Sequence, residues 1–211
     1  MGIEKRIDHT MLKADAKKEV IEKYCEEAKQ YGFASVCVNS CHVPFVAEKL
    51  KGSGVKTCCV VGFPLGAMLT KAKAFEASES VRAGAEEVDM VLNIGAIKDR
   101  DYDMVSADIK AVVEASKPAI VKVIIETCLL SNEEKRKACE LAVKSGAAFV
   151  KTSTGFSTGG ATVEDVVLMK AVVKESAYVK ASGGIRTPQE AQAMLEAGAD
   201  RIGASNGVAL L

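Results

Sequence analysis

Three strand-like apolar runs each carry a lysine near their centre: Ile120-Val121-Lys122-Val123-Ile124, Phe149-Val150-Lys151-Thr152 and Tyr178-Val179-Lys180-Ala181. The lysines are evenly placed, each 29 residues from the next. Lysine is depleted from strands and is rarely buried without a partner. Burial disfavours its ammonium form and so favours the free amine, the nucleophile of Schiff-base chemistry. The competing structural reading lets each stem snorkel to an ion pair at a rim. That reading suits one strand lysine. Three at equal spacing, accompanied by Asp89 inside a fourth apolar run, fit imine chemistry better.

Composition narrows the classes. The 211 residues suit one α/β domain with a substantial core. Lysine plus arginine and aspartate plus glutamate balance at 28 each, tryptophan is absent, and no basic, aromatic-studded stripe points to nucleic acid. The start, Met1-Gly2-Ile3-Glu4-Lys5-Arg6, lacks the apolar stretch of a signal peptide, and no apolar run is long enough to span a bilayer. The seven cysteines lie mostly within expected strands and helices, which suits reduced thiols in a cytoplasmic protein better than a disulfide framework.

The elements that must carry the lysines alternate in texture. Strand-like runs are expected at 6–10, 33–38, 56–61, 87–92, 119–125, 149–152, 178–181 and 201–204. Helical patterns fall between them, at about 17–31, 43–51, 71–83, 102–116, 133–145, 163–174 and 188–197. Capping boxes are expected at Ser131 with Glu134, Thr162 with Asp165 and Thr187 with Glu190, while Gly32, Gly84, Gly146 and Gly198 sit where helices should stop. Eight strands, intervening helices and no linker-like break imply a single (β/α)₈ barrel (TIM barrel) over residues 1–211. An open doubly wound sheet is the alternative, but no Gly-x-Gly-x-x-Gly follows the first strand. A very short final helix is expected.

In a barrel, alternate strand residues face the lumen. Val88, Met90 and Leu92 should then meet the helices, leaving Asp89 and Asn93 inside. By the same alternation Val150 and Val179 point outwards and Lys151 and Lys180 inwards, and strand one turns Ile7 out with Asp8 and Thr10 in. Lysines and carboxylates thus converge near the C-terminal mouth, where barrel enzymes do their chemistry. Lys180, one strand along, would supply a cation beside Lys151, and Asp89 would pair with Lys180 and pass protons through water.

A second constellation is glycine-rich. Thr154-Gly155 follows strand six, Ser182-Gly183-Gly184 follows strand seven, and Gly203-Ala204-Ser205 ends strand eight. Loops after the last strands of such barrels commonly cradle phosphate through backbone N–H groups. Thr10 and Lys122 complete the expected substrate-binding set with Thr154, Gly155, Gly183, Gly184, Gly203 and Ser205. Metal catalysis is poorly supported: His9 and His42 are the only histidines, and Cys37, Cys41 and His42 lack a second ligand pair. His9 reads as a structural hydrogen-bonding residue and Cys58-Cys59 as core. No Gly-x-Ser-x-Gly marks a serine nucleophile.

Six segments together resemble deoxyribose-phosphate aldolases: Ile-Asp-His-Thr-Met-Leu-Lys (7–13), Val-Gly-Phe-Pro-Leu-Gly (61–66), Glu-Val-Asp-Met-Val-Leu-Asn-Ile-Gly (87–95), Lys-Val-Ile-Ile-Glu-Thr (122–127), Phe-Val-Lys-Thr-Ser-Thr-Gly-Phe (149–156) and Lys-Ala-Ser-Gly-Gly-Ile-Arg-Thr (180–187). The resemblance implies reversible cleavage of 2-deoxy-D-ribose 5-phosphate to D-glyceraldehyde 3-phosphate and acetaldehyde through a lysine Schiff base. Lys151 would form the imine, Lys180 would be its activating neighbour, and Asp89 would give and take protons. It implies neither metal nor organic cofactor, no nucleic-acid or membrane partner, and a homodimer or higher homo-oligomer. The alternatives left open are another imine-forming sugar-phosphate aldolase or transaldolase-like enzyme, and a silent barrel that only binds a phosphorylated ligand.

Overall fold

The computed structural model describes residues 2–211. Eight strands close into one barrel in sequence order: β1 (Ile7–Met11), β2 (Ser35–Val38), β3 (Lys56–Val61), β4 (Glu87–Val91), β5 (Ile120–Ile124), β6 (Phe149–Lys151), β7 (Tyr178–Ser182) and β8 (Arg201–Ala204). Every neighbouring pair is parallel, and β8 closes on β1 with His9 opposite Ala204. The helices are α1 (Lys18–Tyr31), α2 (Val43–Leu50), α3 (Thr70–Arg82), α4 (Ile94–Lys98), α5 (Tyr102–Ala115), α6 (Asn132–Lys144), α7 (Val163–Val173) and α8 (Pro188–Glu196). The expected (β/α)₈ barrel is the observed fold. No helix among the described residues is long and apolar enough to cross a membrane.

Local chemistry explains the punctuation. Ser131 and Thr187 form the expected reciprocal capping boxes with Glu134 and Glu190. Thr162 caps α7 by accepting from the Asp165 amide, but the reciprocal bond is missing, because Asp165 turns to the Lys135 ammonium on α6. Gly32 ends α1 in the left-handed conformation (φ 68°), which also lets the Phe33 amide reach back to the Ala28 carbonyl and delays β2 to Ser35. The short α4 lies outside the helical expectations. Asn93, expected in the lumen, lies beyond the end of β4 and accepts from the Ala96 amide (3.1 Å), capping the short α4. After β8 the chain makes only a 3₁₀ turn, Val208–Leu210, in keeping with the short final helix expected.

The core divides along the strand alternation. Outward residues such as Ile7, Val36, Cys59, Val88, Met90, Val123, Val150, Val179 and Ile202 are buried against helix faces such as Ile21, Cys25 and Ala28 of α1. The lumen departs from the usual filling of branched aliphatics. It holds Asp8, Ser35, Glu87, Asp89, Lys122, Lys151, Lys180 and Arg201, all drawn into one polar network. Cys58 and Cys59 are both core, as expected: Cys59 packs with the helices, and Cys58 packs inside with Leu12, Cys37 and Val60, 3.3 Å from an Asp89 oxygen.

Candidate active site

Asp89 is the hub. Its Oδ1 accepts from the Lys122 ammonium at 2.8 Å, and its Oδ2 receives Lys151 at 2.8 Å and Lys180 at 2.7 Å. Strand register makes this possible: Asp89 pairs with Lys122 across β4 and β5, and Lys151 with Lys180 across β6 and β7. Below Asp89 a second tier balances the charges. Lys180 lies 2.6 Å from Asp8, Lys122 lies 2.6 Å from Glu87, and Arg201 reaches both Asp8 and Glu87. The cluster therefore sets three carboxylates (Asp8, Glu87, Asp89) against four cationic side chains (Lys122, Lys151, Lys180, Arg201).

The surplus positive charge is chemically informative. Buried charge is costly unless matched, so the cluster becomes neutral when one cation sheds its proton. Lys122 and Lys180 each touch at least two carboxylates, whereas Lys151 touches only Asp89 and alone among the three lysines lines the open cavity. Burial would push Lys180 down, but Asp8 and Asp89 outweigh it and hold its ammonium above the usual lysine range. Burial would likewise push Asp89 up, yet Lys122, Lys151 and Lys180 together keep it well below the usual carboxylate range. Asp8 is held low in the same way, by Lys180, Arg201 and Lys122 against burial. Of the three lumen lysines, Lys151 has the fewest carboxylate partners and is the one that faces the cavity.

Above Lys151 opens a cavity of about 470 Å³. Thr10, Thr154, Gly155, Gly183, Gly184, Gly203 and Ser205 all line it. Gly183 and Gly184 both adopt positive φ (86° and 83°), so the wall there is main chain. A Cβ added at Gly184 would meet nothing within 4 Å, whereas one at Gly203 would come within 3.0 Å of Lys180 Cε. Gly184 thus leaves room in the cavity, and Gly203 leaves room for the lysine beneath it. Glu126 supports the opposite wall, accepting from the Thr154 amide at 3.1 Å and from its hydroxyl.

Lys122 is a correction. It is fully buried, with its ammonium between Asp89 and Glu87, and does not line the cavity. The alternation that sends a residue inward says nothing about its height in the lumen, and Lys122 lies opposite Phe149, two register pairs below Lys151. Arg201, Glu87 and the cavity residues Lys13, Tyr24 and Arg186 went unassigned in the sequence. Lys13 and Arg186 did carry a signal, standing beside expected substrate loops. Cys37 Sγ, Cys58 Sγ and an Asp89 oxygen lie within 4.8 Å of one another, a possible metal set. Both Asp89 oxygens are already engaged by ammonium groups, which opposes a further dication there.

Comparison with known proteins agrees with this geometry. A family model described as DeoC/LacD family aldolase matches residues 3–211. The chain is 61% identical to a deoxyribose-phosphate aldolase of Finegoldia magna over 211 residues, covering 100% of this chain and 99% of the relative. It is also 61% identical to a deoxyribose-phosphate aldolase of a Geobacillus species, covering 100% and 95%. Among solved structures, the tetrameric deoxyribose phosphate aldolase of Aeropyrum pernix superposes with a TM-score of 0.92 at 33% identity, covering 99% of this chain and 88% of that one. The chain belongs to the DeoC/LacD family of aldolases.

Proposed function

We propose that this chain is a class I aldolase that reversibly cleaves 2-deoxy-D-ribose 5-phosphate to D-glyceraldehyde 3-phosphate and acetaldehyde. One observation carries the reading: a lysine at the floor of an open cavity, touching a single carboxylate that two better-balanced lysines also share. The full-length similarity to proteins named deoxyribose-phosphate aldolase supports the choice of substrate.

In the cleavage direction the neutral amine of Lys151 adds to the aldehyde carbon of the open-chain sugar. Uptake of one proton and loss of water gives an iminium. A base then removes the proton of the C3 hydroxyl, the C2–C3 bond breaks, and its electron pair flows to the iminium nitrogen. Glyceraldehyde 3-phosphate leaves and an enamine remains. Protonation of that enamine at its terminal carbon, followed by hydrolysis, releases acetaldehyde and frees Lys151. Asp89, ionised and 2.8 Å from Lys151, moves protons through water, and Lys180 holds Asp89 ionised and balances charge as the nitrogen changes state. The turns around Gly155, Gly183–Gly184 and Ser205 receive the phosphate.

A homo-oligomeric, cytoplasmic enzyme belongs to the same reading. The Aeropyrum pernix relative is described as tetrameric, and this chain exposes the apolar side chains Leu65, Leu69 and Phe75. The direct test incubates the purified protein with deoxyribose 5-phosphate and measures both aldehydes. Equimolar release supports the reading; no cleavage of this sugar, with cleavage of another phosphorylated sugar, overturns the substrate assignment.

A further inference from the structure

We infer that His9, Tyr24 and Glu27 form a clamp that positions the turn after β8 for the phosphate of the substrate. The inference rests on the phosphate-cradle reading above and extends it to the residues that hold the β8 turn, of which Tyr24 also borders the cavity.

The geometry begins with barrel closure. His9 faces away from the lumen on β1, opposite Ala204 of β8, so the turn leaving β8 passes directly beside its ring. There the Gly207 amide donates to His9 Nδ1 at 3.1 Å. An Nδ1 that accepts must be unprotonated, which places the ring proton on Nε2. Nε2 then donates to the Glu27 carboxylate at 2.7 Å. The ring also stacks on Tyr24, with centroids 4.0 Å apart and planes 15° from parallel. The Tyr24 hydroxyl in turn donates to the carbonyl of Ser205, a residue of the cavity wall. One side chain of β1 and two of α1 therefore hold the Ser205–Gly207 turn at two points of its main chain.

Glycine at 207 is part of the device. A Cβ there would lie 2.7 Å from Ile7 Cγ2 and 3.1 Å from His9 Nδ1, so any side chain would push the turn off the histidine. The clamp also needs a neutral ring, since a proton on Nδ1 would face the Gly207 N–H. The groups around His9 work in both directions. Burial pushes the imidazole below its usual value and Glu27 opposes this, while Lys23, 3.5 Å from Glu27 on the same helix, weakens that opposition. Phe33 at 5.2 Å, Tyr24 and the backbone of the β8 turn supply no charge. The net direction favours the neutral ring.

None of these three residues reaches the reacting lysine, so they act on phosphate placement and not on bond cleavage. Tyr24→Phe keeps the stack and removes one anchor. His9→Phe keeps a ring and removes the Gly207 acceptor, and His9→Asn restores an acceptor at the same branch position without a titratable ring. The measurement is KM and kcat for deoxyribose 5-phosphate and for unphosphorylated deoxyribose, with Gly184→Ala as a direct probe of the cradle. Loss of one anchoring hydrogen bond should raise the KM ratio of phosphorylated to unphosphorylated sugar by about fivefold to tenfold in Tyr24→Phe and His9→Phe. kcat should change much less, and His9→Asn should recover most of the ratio. Relative to wild type, His9→Asn should also lose the part of the KM rise that comes from protonating the ring, which lies on the acid side of the ordinary imidazole range. If Gly184→Ala is phosphate-selective while Tyr24→Phe and His9→Phe weaken both sugars equally, the clamp is overturned and the cradle stands. Equal losses for both sugars in all the variants overturn the cradle and the clamp together.

Discussion

Replacing Asp89 with asparagine separates a structural counter-ion from a proton carrier. The substitution removes one of three carboxylates facing four cations and turns an amide NH₂ towards ammonium groups that now sit 2.7–2.8 Å from carboxylate oxygens. Breaking a fully buried ionic partnership of this kind costs about 3–5 kcal/mol. For a chain of this length each kcal/mol lowers Tm by roughly 2–4 °C, so a fall of roughly 6–20 °C is expected. Such a protein remains largely folded at 25 °C if wild-type stability is ordinary for a domain. Its catalytic loss should be far larger than its folding loss, because a general acid–base group contributes about 10²–10⁴ in rate. The assay is exchange of the acetaldehyde methyl protons in deuterated water, followed by NMR and normalised to folded protein by circular dichroism. Exchange isolates enamine formation from carbon–carbon chemistry. A fall of about a hundredfold or more, with imine trapping retained, is the expected result. Exchange per folded molecule within about threefold of wild type would refute the reasoning, since proton transfer of the stated size cannot vanish unnoticed.

Two further outcomes follow from the charge balance. In Lys180→Met the cluster holds three carboxylates and three cations, so Lys151 is retained as a counter-ion and turnover at neutral pH should fall by at least about a hundredfold, recovering in part as pH rises; an unchanged pH–rate profile would remove Lys180 from the mechanism. Asp8 and Asp89 are held below the usual carboxylate range, so their contribution to stability is fully present above about pH 4 and is lost as pH falls further. Tm should therefore drop on the acid side of pH 4, and Asp8→Asn should make that drop shallower; an acid limb of equal steepness in the variant would contradict the linkage.

Much of this was legible in the chain because strand alternation is local. Val150 and Val179 outside imply Lys151 and Lys180 inside, and the register between β6 and β7 sets the two lysines side by side. The gathering of the glycine turns around one cavity was legible for a similar reason, since each directly follows a strand. Height within the lumen was not legible. It depends on the stagger between neighbouring strands, so Lys122 was placed in the cavity when it lies a tier below. The lower tier was hidden by distance along the chain: Arg201 and Asp8 meet across 193 residues, through closure of β8 on β1. The same closure brings His9 to Gly207, 198 residues away, so its hydrogen bond was foreseeable in kind but not in partner. Asn93 was misplaced because strand periodicity was carried past the point where β4 ends and a cap takes over.

The central claim is that Lys151, and not a neighbouring lysine, forms the imine. Incubation with acetaldehyde and borohydride, followed by proteolysis and peptide mass mapping, reads this directly, because reduction converts the imine into a stable N-ethyl group on whichever lysine formed it. A single N-ethyl adduct is expected on Lys151, and it should disappear in Lys151→Met. An adduct on Lys180 or Lys122, or none in a protein that still cleaves deoxyribose 5-phosphate, would contradict the claim.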